Sequence, residues 1–274
     1  HKIPGSPIAY WVSDRVKEIF EKSEKLGDVG EPRVGLQTSD NKRFLRLWQE
    51  IDSSNLGINI ENRERALESG KRWFSYNKGG EFRKWYGNNE YVVNWYNDGE
   101  EIKEYNAFLN NTRNSNIGIA NMQFYFRESI TWSFVSSSNF GVRYSPVGYI
   151  FDTGGSSLFL DDDIHYFTSL LSSKIVFLYL SIMNPTLNFQ PGNIAKIPVM
   201  YSGKKEIAKL IKHFSEINIS IAKSEWDSRE TSWDFRANQL VISNEELGMK
   251  KISNAFDSYT KFWSEKFFEM HRNE

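Results

Sequence analysis

Residues 72–96 read RWFSYNKGGEFRKWYGNNEYVVNWY, a segment that crowds aromatics, cations, glycines and asparagines together with two acidic residues and no proline. The β-favouring composition on either side of NKGG predicts short strands around a turn, with Tyr91 to Tyr96 as a strand. Three roles fit such a segment: an aromatic core, a sugar-binding face, or a surface lying along nucleic acid. Lys78, Arg83 and Lys84 flank the glycine pair, and Asn88 follows in the GNN turn. Glycine lets a backbone approach a ligand closely, while arginine and asparagine can pair with phosphate or base edges.

Outward from this segment the chain alternates helical and strand-like texture. A helix capped near Ser13 or Asp14 carries Val16, Ile19 and Phe20 at helical spacing. A glycine-rich loop leads to a second helix, capped by Ser39 or Asp40, with Phe44, Leu47, Trp48 and Ile51 on one face. DGEEIKEYNAFLNN reads as a helix, and residues 116–160 as several short strands with polar loops. Asp162 to Met183 reads as one buried helix, too short and too interrupted by Ser172, Ser173 and Lys174 to cross a bilayer. NPTLNFQPGNIAKIPV then reads as a loop leading into a short strand. Ile207, Leu210, Ile211, Phe214, Ile217 and Ile221 mark one amphipathic helix, and Ile252, Phe256, Tyr259, Trp263, Phe267 and Met270 another.

The fold class expected is mixed α+β, with a core of short strands, flanking helices and a helical C-terminal region. The divisions expected are 1–34, a linker and helix; 35–202, a recognition domain; and 203–274, the helical region.

Composition narrows the chemistry. With 274 residues the chain can bury a substantial core, and its net charge of −1 gives no global attraction to a polyanion. A nucleic-acid role must therefore rest on a local patch, and from Asn41 to Trp85 the basic residues outnumber the acidic ones by ten to six. The absence of cysteine excludes a disulfide framework and a thiol nucleophile, and fits a reducing cytoplasm. The chain begins with His1 and shows no signal segment, which reads as a piece of something longer, without a membrane anchor.

No pair of the four histidines has metal-ligand spacing, and no nucleophile elbow or phosphate-binding loop is present, so neither a catalytic nor a metal residue is assigned. His165 beside Asp161, Asp162 and Asp163 reads more simply as the start of a helix. FDTGGSSLF reads as a turn between strands. Polar loops supply the remaining candidates. Ser136, Ser137, Ser138 and Asn139 precede Arg143 and Tyr144, while Thr38, Asn41 and Arg43 gather near a helix start.

IPGSPIAYWVS, GLQTSDNKRFLR, YNKGGEFRKWYGNNEYVVNW, ITWSFVSSSNFGVRY, NPTLNFQPGNIAKIPV and SEWDSRETSWDF come one after another in this order. In that order they resemble the C-terminal half of the PglX family of BREX phage-defence adenine-specific DNA methyltransferases. The LLSSK…NPTLNFQPGNIAKIPV unit also resembles target recognition domains of restriction-modification specificity subunits. The resemblance implies double-stranded DNA as partner, and a separate catalytic domain that binds S-adenosylmethionine and methylates a flipped adenine. NPTLNF has Thr186 where the family's adenine-holding motif has a second proline, so the chain reads as a recognition half with no cofactor of its own.

An alternative is a protein-interaction module, in which SEWDSRETSWDF and the last helix dock other defence proteins or a phage-encoded inhibitor. A carbohydrate-binding face accounts for the aromatics and asparagines but not for the basic clustering.

Overall fold

The computed structural model describes residues 12–114, 116–135, 139–184, 188–199, 201, 204–241 and 252–274. Its architecture is mixed α and β, built on two sheets. The strands are β1 (Glu31–Arg33), β2 (Leu45–Leu47), β3 (Leu56–Gly57), β4 (Trp73–Asn77), β5 (Tyr91–Asn94), β6 (Ser129–Trp132), β7 (Val142–Ser145), β8 (Ile150–Phe151) and β9 (Ser157–Phe159). The first sheet has the order β1-β9-β6-β7 and is antiparallel throughout. The second has the order β2-β5-β4-β3, with β8 added in parallel to the end of β4.

The quoted segment supplies β4 and β5, the two inner strands of the second sheet. Their pairing, Phe74 opposite Val93, points both side chains into a core with Tyr76, Trp95, Phe126, Phe151 and Phe159. Most rings of the segment are therefore packing. Burial of each such side chain stabilises by about 1.5–3 kcal/mol.

The first sheet turns Ile130, Trp132, Val142 and Leu158 toward a second core. That core is closed by α1 (Asp14–Lys22), α6 (Ile164–Ser172) and α7 (Lys174–Met183). Strand alternation sends Thr131, Arg143, Ser145 and Ser157 to the opposite face, where they form a buried polar row. Asn77 at the end of β4 donates to Ser145 Oγ at 2.8 Å across this row, tying the sheets together. The segment FDTGGSSLF is the crossing between them, a turn leading from β8 to β9 as the sequence predicts.

Several elements are as the sequence predicts. Ser13 caps α1 by accepting from the Val16 amide, and Phe20 of α1 packs edge-on against Tyr179. This helix is built into the second core, and β1 into the first sheet. Other elements differ. The helix expected around Phe44 is one turn, α3 (Asn41–Phe44), capped by Asp40. It gives way to β2 because Leu45 is needed opposite Val93.

The buried helix expected over 162–183 is two helices bent by 66° at Ser173, whose side chain caps the second by accepting from Val176. Among the described residues no single helix is long and apolar enough to cross a membrane. The strand expected after NIAK is reduced to an isolated bridge, Lys25 with Pro198.

Remaining helices are α2 (Leu26–Val29), α4 (Arg63–Glu68), α5 (Tyr96–Leu109), α8 (Pro191–Ile194), α9 (Lys205–Asp227) and α10 (Ile252–Asn273). Helix α9 lays Ile219, Ala222 and Trp226 over Trp85 and Tyr86, and α10 adds Met270 to this seam.

Candidate nucleic-acid interface

The loop 78–82, the turn 153–155 and residues Ser133, Phe134 and Gly141 meet where the two sheets join. Gly79 and Gly155 explain the closeness of the first two. A side chain at Gly79 would meet the Gly154 carbonyl at 2.5 Å, and one at Gly155 the Asn77 carbonyl at 2.1 Å. Gly79 also has a φ of 93°, a conformation natural to glycine. Backbone packs on backbone here; the glycines serve the junction of two loops and not a ligand. Ser133 Oγ donates to the Gly80 carbonyl at 2.8 Å and pins the third segment to the pair.

The four cations expected to form one positive face do not form it. Lys78 Nζ lies 2.7 Å from Asp152, a buried carboxylate that also accepts from Tyr76 OH at 2.6 Å and the Gly154 amide at 2.5 Å. Arg83 is paired with Glu225 of α9, donates from Nε to the Tyr86 carbonyl at 2.7 Å, and lies 4.9 Å over the Trp226 ring. Lys84 lies 2.9 Å from Glu274, which also accepts from Trp85 Nε1 at 3.0 Å.

Arg143 is 2% exposed, because its position in β7 faces the polar row between the sheets. Burial lowers its pKa to about 10, with Glu90 acting in the opposite direction, and its Nε has no hydrogen-bond partner among the described residues. These placements correct the sequence expectation. Lys78, Arg83 and Lys84 tie loops and helices to the body through carboxylates, and Arg143 is buried between the sheets.

The other candidates divide. Tyr144 donates its hydroxyl to Glu128 and stacks on His165 at 5.5 Å; its pKa is raised by burial and by that carboxylate. Asn88, at a φ of 60°, donates to the Glu81 carbonyl at 2.9 Å and closes the loop it belongs to. Thr38 is buried and donates to Asn41 Oδ1 at 2.6 Å, while Asn41 itself is exposed. Asn139 is exposed beside the junction, and Ser136, Ser137 and Ser138 lie outside the described residues. Among the described residues no group of three or more histidines and carboxylates could hold a metal ion.

Arg43 belongs to a different arrangement. Its Nε and Nη2 donate to Glu101 Oε1 of α5 at 3.0 and 2.8 Å. The other carboxylate oxygen accepts from Arg72 at 3.1 Å and Asn94 at 2.8 Å. Burial works against ionisation of Glu101, but the hydrogen bonds from Arg43 and Asn94 and the nearby charges hold its pKa below the ordinary value. The guanidinium of Arg43 lies 5.1 Å over Phe44 and 4.8 Å over Tyr105. Arg46, on β2, lies 5.6 Å over Trp73 and donates to the Lys42 and Leu45 carbonyls at 2.7 and 2.6 Å.

Sequence reasoning passed over Lys42, Arg46 and Arg72. The signal was present in Leu45-Arg46-Leu47, whose alternation turns Arg46 away from the core, but it required recognising a strand there.

No protein-family profile matches the chain. The chain is 36% identical over 278 residues to "Adenine-specific methyltransferase PglX" of Lacticaseibacillus casei (strain Zhang), a match that covers 100% of this chain and 22% of that protein. It is 35% identical over 273 residues to "Adenine-specific methyltransferase BrxX" of Escherichia coli O9:H4 (strain HS), covering 98% of this chain and 20% of that protein. The chain thus spans about a fifth of the length of the curated relatives it matches.

Proposed function

From a chain related along its whole length to a segment of the PglX and BrxX adenine-specific methyltransferases, we propose a module that reads double-stranded DNA for such an enzyme in a phage-defence system. The observation that carries this is the full-length relationship to two adenine-specific methyltransferases about five times longer, which leaves most of such an enzyme's length outside this chain. The three-loop junction at the sheet ends supports it. It is a rigid, backbone-to-backbone platform, and it presents exposed polar groups such as Asn139. Loops held on such a scaffold suit base-edge recognition, each good contact being worth about 1–3 kcal/mol of discrimination.

In this reading Lys78, Arg83, Lys84 and Arg143 shape the reader and do not touch DNA. The test is binding to short duplexes that carry the host's methylated motif, compared with scrambled duplexes over a range of salt. Preference for the motif, with affinity falling as salt rises, is expected; equal, salt-insensitive affinity for both overturns the proposal.

A protein-docking role has one specific observation behind it. Helix α10 leaves Phe256, Phe262, Phe267 and Phe268 exposed at 46–77%. SEWDSRETSWDF does not share this role, since Trp226 is buried and Trp233 packs 5.9 Å from Tyr149. A partner held by α10 stays bound at high salt and is lost when residues 243–274 are deleted.

A further inference from the structure

The cations of the 78–84 segment are each bonded to a carboxylate, Lys78 to Asp152, Arg83 to Glu225 (which also takes Arg229) and Lys84 to Glu274, which leaves the question of what could carry a polyanion. The edge of the second sheet at β2 has a different stoichiometry. Lys42, Arg43, Arg46 and Arg72 gather there, and the carboxylates bonded among them are Glu101, shared by two arginines, and Asp40, which caps α3 by accepting from the Arg43 amide. Lys42 and Arg46 have no carboxylate partner among the described residues. With Glu50, which accepts from the Leu47 amide at the end of β2, counted beside Glu101 and Asp40, the local balance is four cations against three carboxylates, still positive in a chain whose net charge is −1.

Position and order strengthen the case. Arg46, Asn94 and Trp73 share the face of the sheet turned away from the core, because Arg46 pairs Val92 and Trp73 pairs Asn94. Arg43 and Arg72 are about half exposed. The rings of Phe44, Tyr105 and Trp73 hold Arg43 and Arg46 in place. Such guanidiniums lose little freedom on meeting a ligand and present planar forks that match phosphate oxygens. One other hollow carries the opposite charge. The 330 Å³ hollow beside His165 is lined by Glu128, Asp161, Asp162, Asp163 and Glu216 against Lys212.

We propose that Lys42, Arg43, Arg46 and Arg72 form the face that takes the phosphate backbone of duplex DNA. This rests on the DNA-reading function and assigns its sequence-independent grip to the β2 edge.

The test measures binding of a labelled random-sequence duplex by the full chain as salt is varied. Each phosphate contact contributes about 0.9 to the slope of log affinity against log salt. Arg46→Gln with Arg72→Gln is expected to lower the slope by about two, and Lys42→Gln, which breaks no bond in the fold, by about one. Arg46→Lys with Arg72→Lys keeps the charge and is expected to keep the slope. If the wild-type chain binds and both Gln variants retain its slope, the face is wrong while the DNA-reading function stands. If the wild-type chain binds no duplex even at low salt, both fall.

Discussion

Replacing Lys78 with methionine removes one of three donors from a carboxylate almost withdrawn from water. Asp152 has 8% of its side chain exposed, and it keeps Tyr76 OH and the Gly154 amide after the change. Removing one member of a fully buried ion pair costs about 3–5 kcal/mol, whereas an exposed pair is worth about 0–1 kcal/mol. The Lys78 side chain is 28% exposed, so its Nζ is partly screened, and the expected loss lies between those limits at about 2 kcal/mol. A urea unfolding series on Lys78→Met, Asp152→Asn and the double variant isolates the pair. A coupling energy of about 1–3 kcal/mol is expected, larger than an exposed pair gives. DNA affinity, corrected for the folded fraction, should keep its wild-type salt slope. A Lys78→Met chain with wild-type stability and a slope lowered by about one would refute the structural assignment of Lys78 and return it to the phosphate contacts.

Arg143→Met alone should lose about 1–3 kcal/mol in the same unfolding assay, because it strips Glu90 of a buried neighbour. Arg143→Met with Glu90→Gln should match or exceed the wild type, since a desolvated charge is removed along with its counter-charge. Asp98 accepts from Arg63 and Lys103, and although burial opposes it these bonds lower its folded pKa. The unfolded chain therefore takes up the proton first, so this stability is present above the ordinary aspartate range near about 4 and disappears as pH falls through the folded value. Acid unfolding of Asp98→Asn should be shallower across that window. Gly155→Ala should lower the melting temperature sharply, because its Cβ would meet the Asn77 carbonyl at 2.1 Å. Gly192→Ala, with nothing within 4 Å, should leave melting unchanged or raise it by the equivalent of about 0.4–1 kcal/mol.

Local signals in the sequence translated well where the deciding interaction is itself local. The cap Ser13 and the apolar spacing of α1 lie within a few residues of each other, and so do the β-favouring residues of β5. The double break at Ser172-Ser173-Lys174 was also in view, yet it became a helix end only because Ser173 could cap α7. The short α3 failed for the opposite reason. Whether Leu45 continues a helix or starts a strand is settled by Val93, nearly fifty residues on, and no feature of NKRFLRLW carries that information. Order of motifs along the chain gave the relationship to the methyltransferases, although each motif alone was ambiguous.

The candidate site was harder to read because charge is a property of partners, and partners are remote. Lys78 and Asp152 are 74 positions apart, Arg83 and Glu225 142, and Lys84 and Glu274 190. A run of cations in sequence therefore looks free until the fold supplies its carboxylates. What distinguishes the β2 edge from the 78–84 segment is that Lys42 and Arg46 have no carboxylate partner among the described residues, whereas Lys78, Arg83 and Lys84 each have one. Glu101 answers Arg43 and Arg72 together, and Asp98 answers Arg63 and Lys103 together, so helix α5 half-neutralises four cations and fixes their positions. A carboxylate shared in this way orders the cations without cancelling their field, which stays positive outside. One matched to a single cation, as Asp152 is to Lys78 and Glu274 to Lys84, cancels it and leaves a strut. By that criterion Lys78 and Lys84 are framework, and the proposed grip on a polyanion falls to the strand edge beside them.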